Sequence, residues 1–216
     1  MTMKKMYRKT ISRDELNSLP INSFKGNIRV IEDLEGINEV LPLIQKAKCL
    51  GFDTESRPSF RKGSNNRIAL LQLATGDDAF LFRINKTKLP DTLVRILSDP
   101  DLIKVGAAIR DDIKGLQKYS DFVPAGFVEL QNYVTDFGIE SNGLRKLAGI
   151  VLNFRISKRY QVSNWENKTL SEGQIQYAAT DAWVSYKVYS ALEKQEAKGR
   201  GGEWAKRRRR DGGIRR

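Results

Sequence analysis

Two apolar segments joined by a short polar turn restrict the fold of this chain more than any other feature. The segments RIALLQLAT (67–75) and AFLFRI (79–84) flank the turn GDD, and both are rich in residues that favour strands. This pattern predicts an antiparallel β-hairpin. Because two strands alone do not form a stable unit in water, the hairpin must belong to a larger sheet.

Strand and helix patterns continue on both sides of the hairpin. We predict strands at 27–33, 50–55, 102–108 and 128–134, and helices at 35–49, 90–98, 111–119, 141–150 and 171–194. This order predicts an α/β domain in which a central mixed β-sheet contains the hairpin and is flanked by α-helices.

The length and composition fit one such domain with a segment at each end. The chain has 216 residues, of which 40% are hydrophobic, enough for one full core. Residues 1–26 mix charges with proline and glycine, which predicts an irregular arm with about one helical turn. Residues 27–194 form the predicted domain, and the basic segment 195–216 lacks periodicity and is predicted to be disordered.

The charge of the chain favours a polyanionic partner. The formal net charge is +12, and residues 198–216 contain nine Lys or Arg against two acids. A positive field of this kind attracts nucleic acid, the first partner to consider. A charge that only keeps the chain soluble is the alternative.

Missing residue types exclude several kinds of site. Cys49 is the single cysteine, so no internal disulfide or cysteine-cluster zinc site is expected, and the absence of histidine excludes a histidine base or ligand. The longest apolar run, IALLQLA, is too short to span a membrane, and the first residues lack an apolar signal segment. We therefore expect a cytoplasmic protein without a membrane association.

Two carboxylates come directly after the apolar start, LGF, of the predicted strand 50–55. Asp53 and Glu55 are two positions apart, so on a strand they point to the same face. Like charges at this spacing repel, and a divalent cation between them would remove the conflict because Mg²⁺ and Mn²⁺ prefer oxygen ligands. A solvated strand end is the alternative.

Two further groups of acidic residues follow later in the chain. Tyr177 and Asp181, in IQYAATDAW, are four positions apart and share one face of the last predicted helix. Val184 and Val188 lie on that side too, which favours a covered cleft over a solvated face. Asp111 and Asp112 begin a helix, where one is expected to cap the amide groups and the other is a candidate for the site.

Together these segments resemble the superfamily of 3′-to-5′ exonucleases that has four acidic residues and a tyrosine, the DEDDy family. The matching segments are FDTE, VGAAIRDDIKGL and YAATDAW, in that order. Within the superfamily, FDTESRP, RIALLQLAT and SNW are most similar to the exonuclease domain of the Werner syndrome protein, and RNase D is a more distant likeness. The family pattern, an acid four positions before a leucine, selects Asp112 as the site residue and leaves Asp111 as the cap.

The resemblance implies a ribonuclease-H-like fold and a metal-dependent hydrolase. It implies that Asp53, Glu55 and Asp181 hold one Mg²⁺ or Mn²⁺, that Asp53 bridges to a second ion with Asp112 as an outer ligand, and that Tyr177 orients the attacking water. The products would be nucleoside 5′-monophosphates released from the 3′ end of DNA or RNA.

Side chains near the first motif are candidates for holding the nucleic acid. They are Arg57, Phe60, Arg61 and Lys62, which combine charge with an aromatic ring, and Trp165 as a stacking residue. For Trp165 a position in the core is the alternative. A non-catalytic nucleic-acid-binding module and an endonuclease on the same scaffold remain the competing functions, and the sequence names no protein partner.

Overall fold

A computed structural model describes residues 7–57 and 67–199, with side chains as far as residue 197. The described part is a six-stranded mixed β-sheet with helices on both faces, as predicted. The strands are β1 (Asn27–Ile31), β2 (Cys49–Ser56), β3 (Ile68–Ala74), β4 (Asp78–Phe82), β5 (Ile103–Gly106) and β6 (Phe127–Glu129). The α-helices are α1 (Arg13–Ser18), α2 (Leu34–Lys46), α3 (Ile84–Thr87), α4 (Asp91–Ser98), α5 (Ile109–Gln117), α6 (Leu130–Tyr133), α7 (Leu144–Leu147) and α8 (Glu172–Gly199).

The order of the strands places three carboxyl ends at one edge of the sheet. The strand order is β1-β4-β3-β2-β5-β6, and β2, β5 and β6 run parallel to one another. β3 pairs antiparallel with both β2 and β4, which confirms the predicted hairpin. The acidic residues in the last part of β2 and those that follow β5 therefore meet at the same end of the sheet.

Different helices cover the two faces of the sheet. On one face, Phe52 of β2 packs in a cluster with residues of α2, α4 and α5, such as Ile44, Leu97 and Leu116. On the other face, residues of α8 pack against β3 and β4. The sheet is thus buried on both sides, as the near-continuous apolar strands require.

The last helix, α8, begins where predicted and continues past residue 194 to Gly199. Ala178 and Ala182 pack against β3 and β4, and Val184 and Val188 pack in a second cluster with β5 and the segment 130–152. This confirms that apolar neighbours cover α8 on two sides. Residues 200–216, predicted to be disordered, lie outside the described part.

The segment after β5 differs from the prediction. A strand was predicted over 128–134, but β6 ends at Glu129 and the chain turns into α6 and then a 3₁₀ helix (Val134–Phe137). The Glu129 carboxylate accepts a hydrogen bond from the Gln131 amide at 3.0 Å, which caps α6. The predicted helix 141–150 is α7 followed by a π-helical turn (Ala148–Leu152).

The described part of the N-terminal arm, residues 7–26, is packed against the domain. α1 begins with a capping box in which the Ser12 and Glu15 side chains and amides bond to each other. Leu16 is 5% exposed and Phe24 is 2% exposed. The arm therefore contributes to the core in addition to containing the expected helical turn.

None of the helices within the described ranges is long and apolar enough to cross a bilayer.

Candidate active site

Strand β2 carries the first two carboxylates on the face that α8 covers. A side chain at Gly51 would place its Cβ 1.8 Å from the carbonyl oxygen of Ala182, so the two backbones approach more closely than any other residue allows. Side chains alternate along a strand, and Asp53 and Glu55 therefore share the Gly51 face. Phe52, on the opposite face, is fully buried in the core. The close approach brings α8 directly onto the acidic face of β2.

Helix α8 supplies Asp181 and Tyr177 to the same region. Asp181 is 7% exposed, and its Oδ1 atom has no hydrogen-bond partner. The Tyr177 hydroxyl, one helical turn earlier, donates a hydrogen bond to the Asp181 carboxylate. The buried Asp181 carboxylate therefore interacts with the Tyr177 hydroxyl, and its Oδ1 atom remains without a partner.

Asp112 of α5 reaches the site from the other side of β2. Its Oδ1 atom accepts a hydrogen bond from the Thr54 hydroxyl. Thr54 lies between Asp53 and Glu55 and points to the opposite face of the strand, so it connects Asp112 to the strand that carries them. The neighbouring Asp111 is exposed. The structure thus places Asp112, and not Asp111, beside the other carboxylates.

The start of α5 is held by a residue that the sequence did not reveal. The helix is preceded by Ala108, whose φ of 62° lies in the left-handed region and which makes no side-chain cap. The Glu129 carboxylate accepts hydrogen bonds from the Ala108 and Ile109 amides, each at 2.9 Å. The expectation that Asp111 caps this helix is therefore wrong, because Glu129 of β6 takes that role. No local signal identifies a contact between residues 20 positions apart.

Burial raises the pKa values of all four carboxylates, and neighbouring negative charges raise three of them further. For Asp53, burial raises the pKa well above its usual range, and the charges of Asp181, Asp112 and Glu55 raise it further. Burial first, then Asp181 and Asp112, raises the pKa of Glu55 to about 9. Burial also raises the pKa of Asp181 to about 7 and that of Asp112 to about 6, against the opposing hydrogen bonds. Ionising all four carboxylates at neutral pH is therefore unfavourable, because water solvates them poorly.

Tyr177 stays protonated in this surrounding. Burial raises the pKa of the Tyr177 phenol, and the charges of Asp181 and Glu55 raise it further. The phenol is therefore a hydrogen-bond donor at neutral pH and not a base. Its ring lies 6.1 Å, centroid to centroid, from that of Trp165.

The donor set suits a divalent cation. Four neighbouring carboxylates with an unpartnered buried oxygen, Asp181 Oδ1, offer the oxygen ligands that Mg²⁺ and Mn²⁺ prefer. Within residues 7–57 and 67–199, however, no three acidic, histidine or cysteine side chains are gathered closely enough to form a finished metal site. The carboxylates therefore match a divalent cation in the chemistry of their oxygen atoms.

The residues predicted to contact nucleic acid differ in where the structure places them. Arg57, just past β2, is exposed and lies 3.8 Å from the Glu166 carboxylate. Phe60, Arg61 and Lys62 lie outside the described residues. Trp165 is fully buried and packs with Ala178 and other residues under α8. Its ring has no face open to a base, so the stacking role is corrected to a core position.

Comparison with known proteins places this site in a family. A family model described as 3′-5′ exonuclease matches residues 28–196, which is most of the chain and contains all five predicted site residues. The chain belongs to the 3′-5′ exonuclease family. The resemblance inferred from the three acidic segments is therefore confirmed.

Relatives within the family include several named exonucleases. Exonuclease 3′-5′ domain-containing protein 2 of Drosophila melanogaster is 35% identical over 72% of this chain, and ribonuclease D of Haemophilus influenzae is 31% identical over 80%. The mouse Werner exonuclease/helicase is 29% identical over 82%. The matches cover 27%, 43% and 13% of those proteins, so the chain spans less than half of each.

Solved structures confirm the ribonuclease-H-like fold. The exonuclease domain of Aedes aegypti Nibbler aligns with a TM-score of 0.73 at 23% identity, over 83% of this chain and 94% of that one. Trypanosoma brucei RNase D, solved in complex with RNA U12, aligns with a TM-score of 0.69 at 22% identity, over 78% of this chain and 63% of that one.

Proposed function

We propose that this protein is a metal-dependent 3′-5′ exonuclease. It hydrolyses phosphodiester bonds from the 3′ end of DNA or RNA and releases nucleoside 5′-monophosphates. The observation that carries the proposal is the group of four carboxylates and one tyrosine, of which Asp181 is buried and the others are half-buried, at the carboxyl end of β2. Membership of the family supports the same activity.

The carboxylates are assigned to two Mg²⁺ or Mn²⁺ ions. Asp53, Glu55 and Asp181 would hold one ion, and Asp53 would share the second, with Asp112 as its outer ligand. Divalent ions in such a site supply positive charge that stabilises the attacking and the leaving oxygen of an in-line displacement at phosphorus. Two residues position Asp112. Thr54 fixes its carboxylate by a hydrogen bond, and Glu129 fixes the start of the helix α5 that carries it.

Tyr177 has a positioning role toward water. Because its phenol remains protonated, it donates a hydrogen bond and does not remove a proton. A hydroxyl next to Asp181 is suited to orient the attacking water toward the phosphorus atom. This assigns the tyrosine a contribution to the rate that depends on its hydroxyl and not on its ring.

Positive charge supports binding of the nucleic-acid backbone. The chain carries a formal net charge of +12, and KRRRR at 206–210 would add affinity that falls with salt. Arg57 follows the acidic strand and is exposed, which suits contact with a phosphate near the strand end. The RNA in the T. brucei RNase D structure supports a nucleic-acid substrate. A cytoplasmic location stays a prediction.

The activity is tested with 5′-labelled DNA and RNA strands incubated with Mg²⁺ or Mn²⁺, with EDTA, and with an Asp53→Asn variant. A ladder of progressively shorter labelled fragments, abolished by EDTA and by the variant, is the expected result. Strands that shift in a binding gel but are never cut would overturn the proposal in favour of a binding module. Cleavage at internal positions from the first time point would favour an endonuclease.

A further inference from the structure

A buried glutamine lies in the middle of the sheet beside the carboxylate site. Every residue of β3 is buried, and Gln72 is the one polar side chain in that strand. Gln72 is fully buried, yet neither its Nε2 nor its Oε1 atom has a hydrogen-bond partner among the described residues. A buried amide without partners lowers stability, so an apolar side chain at this position would make a more stable core.

The strand register places Gln72 directly opposite Asp53. The two residues are Cα partners in the antiparallel pairing of β2 and β3. Residues that pair in this way point to the same face of the sheet, with Cβ atoms about 4.5–5.5 Å apart. Leu70 and Ala74, the neighbours of Gln72 on that face, pack in a cluster with residues of α8. Gln72 therefore lies with the half-buried Asp53 in the layer between the sheet and α8.

The same layer contains an acceptor that matches the glutamine donor. Asp181 interacts electrostatically with Asp53, and its buried Oδ1 atom has no partner. An amide donor and carboxylate oxygens thus lie in one buried region without a direct hydrogen bond from Gln72. A buried water commonly joins polar groups that are close but not in contact, because it can donate to one and accept from the other.

We propose that Gln72 is a positioning residue of this site, whose amide holds the Asp53 and Asp181 carboxylates through a buried water in the orientation that a divalent cation requires. The inference rests on the proposed function of the carboxylates. Residues that orient metal ligands typically contribute about 10- to 100-fold in metal affinity or activity. Gln72 has no assigned contact with the substrate, and it acts through the ligands.

The chain offers a matched control in its second buried glutamine within the domain core. Gln174 is 5% exposed, but its amide is satisfied: Nε2 donates to the Asn164 carbonyl at 3.2 Å, and Oε1 accepts from the Ser171 amide at 3.1 Å. Methionine has a similar length and no hydrogen bonds. Gln72→Met removes an amide that has no direct protein partner, whereas Gln174→Met breaks hydrogen bonds between residues that support the fold.

The test compares the two variants with the wild-type protein by thermal unfolding without metal, by calorimetric titration with Mn²⁺, and by nuclease rate. For Gln72→Met we expect an unchanged or higher Tm, a Kd for Mn²⁺ raised about 10-fold, and a lower rate that recovers in part at high Mn²⁺. For Gln174→Met we expect a lower Tm and an unchanged Kd.

Three outcomes would overturn the inference. The first is a Gln72→Met protein that binds Mn²⁺ as tightly as the wild type. The second is failure of both Gln72→Met and Gln72→Leu to fold, since this would give Gln72 a structural role. The third is a wild-type protein that binds no Mn²⁺. If the wild type binds Mn²⁺ but degrades no nucleic acid, the proposed function fails while the Mn²⁺ titration still decides the role of Gln72.

Discussion

At the scale of single residues, the site depends on which of two adjacent aspartates faces it. A pattern of acids could be recognised in the sequence because Asp53, Glu55, Tyr177 and Asp181 have spacings that fix a shared face. Thr54 and Glu129 could not be recognised, because their roles arise from contacts with α5, which is distant in sequence. For Trp165 the sequence left a stacking role and a core position open, since the burial that decides between them depends on α8 and β3.

Asp112 and Asp111 form a natural pair for mutation. Asp112→Asn is expected to lower kcat about 100-fold or more, because a lost metal ligand removes several kcal/mol of transition-state stabilisation. Asp111→Asn should leave kcat within about twofold, since that side chain is exposed. Steady-state rates on one labelled strand measure both. Equal losses in the two variants would contradict the assignment of Asp112.

The raised pKa values predict how stability depends on pH in the absence of metal. Because the pKa values of Glu55 (about 9) and Asp181 (about 7) exceed the usual value of about 4 in an unfolded chain, the folded state binds more protons between these limits. This contribution to stability is fully present below about pH 4 and is lost as the pH rises toward 9. The Tm of the metal-free protein should therefore fall between pH 5 and pH 8.

Asp53→Asn and added Mg²⁺ should each reduce this loss. Asp53→Asn removes one negative charge from the four carboxylates, and a bound Mg²⁺ offsets their negative charge. At pH 8 we expect the metal-free variant to have a higher Tm than the wild type, and Mg²⁺ to raise the Tm of the wild type more than that of the variant. Thermal unfolding by circular dichroism measures all four cases. A variant with a lower Tm than the wild type at pH 8 would be the opposite result.

At the scale of elements, local sequence patterns do not predict where β6 ends or how α5 begins. The segment VELQNYV satisfies the pattern of a strand, but only its first two residues, Val128 and Glu129, pair with β5, and the chain then becomes helical. The pattern does not record that the Glu129 side chain is engaged by three backbone amides, those of Ala108, Ile109 and Gln131. Strand length here is set by tertiary hydrogen bonds and not by local preference.

Replacing Glu129 should move α5 and with it Asp112. Glu129→Ala leaves the amides of Ala108 and Ile109 without their acceptor, next to a left-handed residue. We expect a loss of about 1–3 kcal/mol in unfolding free energy and a lower kcat, with Glu129→Gln intermediate because it retains one acceptor oxygen. Chemical denaturation and rate measurements separate the two effects. An unchanged kcat in Glu129→Ala would show that the site does not depend on this contact.

At the scale of the whole molecule, the sheet brings together segments that are far apart in the chain. The hairpin and the class of fold follow from local patterns, but the order β1-β4-β3-β2-β5-β6 depends on long-range pairing. Contacts of residues 7–26 likewise could not be predicted from local patterns. The family match begins at residue 28, yet the Phe24 amide donates to the Thr180 hydroxyl at 3.1 Å, beside Asp181.

The arm is therefore expected to stabilise the helix that carries Asp181. Phe24 is 2% exposed, and its ring lies 5.9 Å from that of Trp183 on α8. Phe24→Ala should cost about 3–5 kcal/mol in unfolding free energy, as for other buried phenylalanines. Val123, which is 80% exposed, offers Val123→Ala as a control with little effect. A Phe24→Ala protein as stable as this control would show that the arm does not support the core.

The most direct test of the central claim is the identity of the first product released from a strand whose last phosphodiester contains radioactive phosphorus. With Mg²⁺ and wild-type protein, the account predicts that the label appears at once as a nucleoside 5′-monophosphate, and that Asp53→Asn releases none. Label that first appears in a released short oligonucleotide, or in a nucleoside 3′-monophosphate, would contradict removal of single nucleotides from the 3′ end by this carboxylate site.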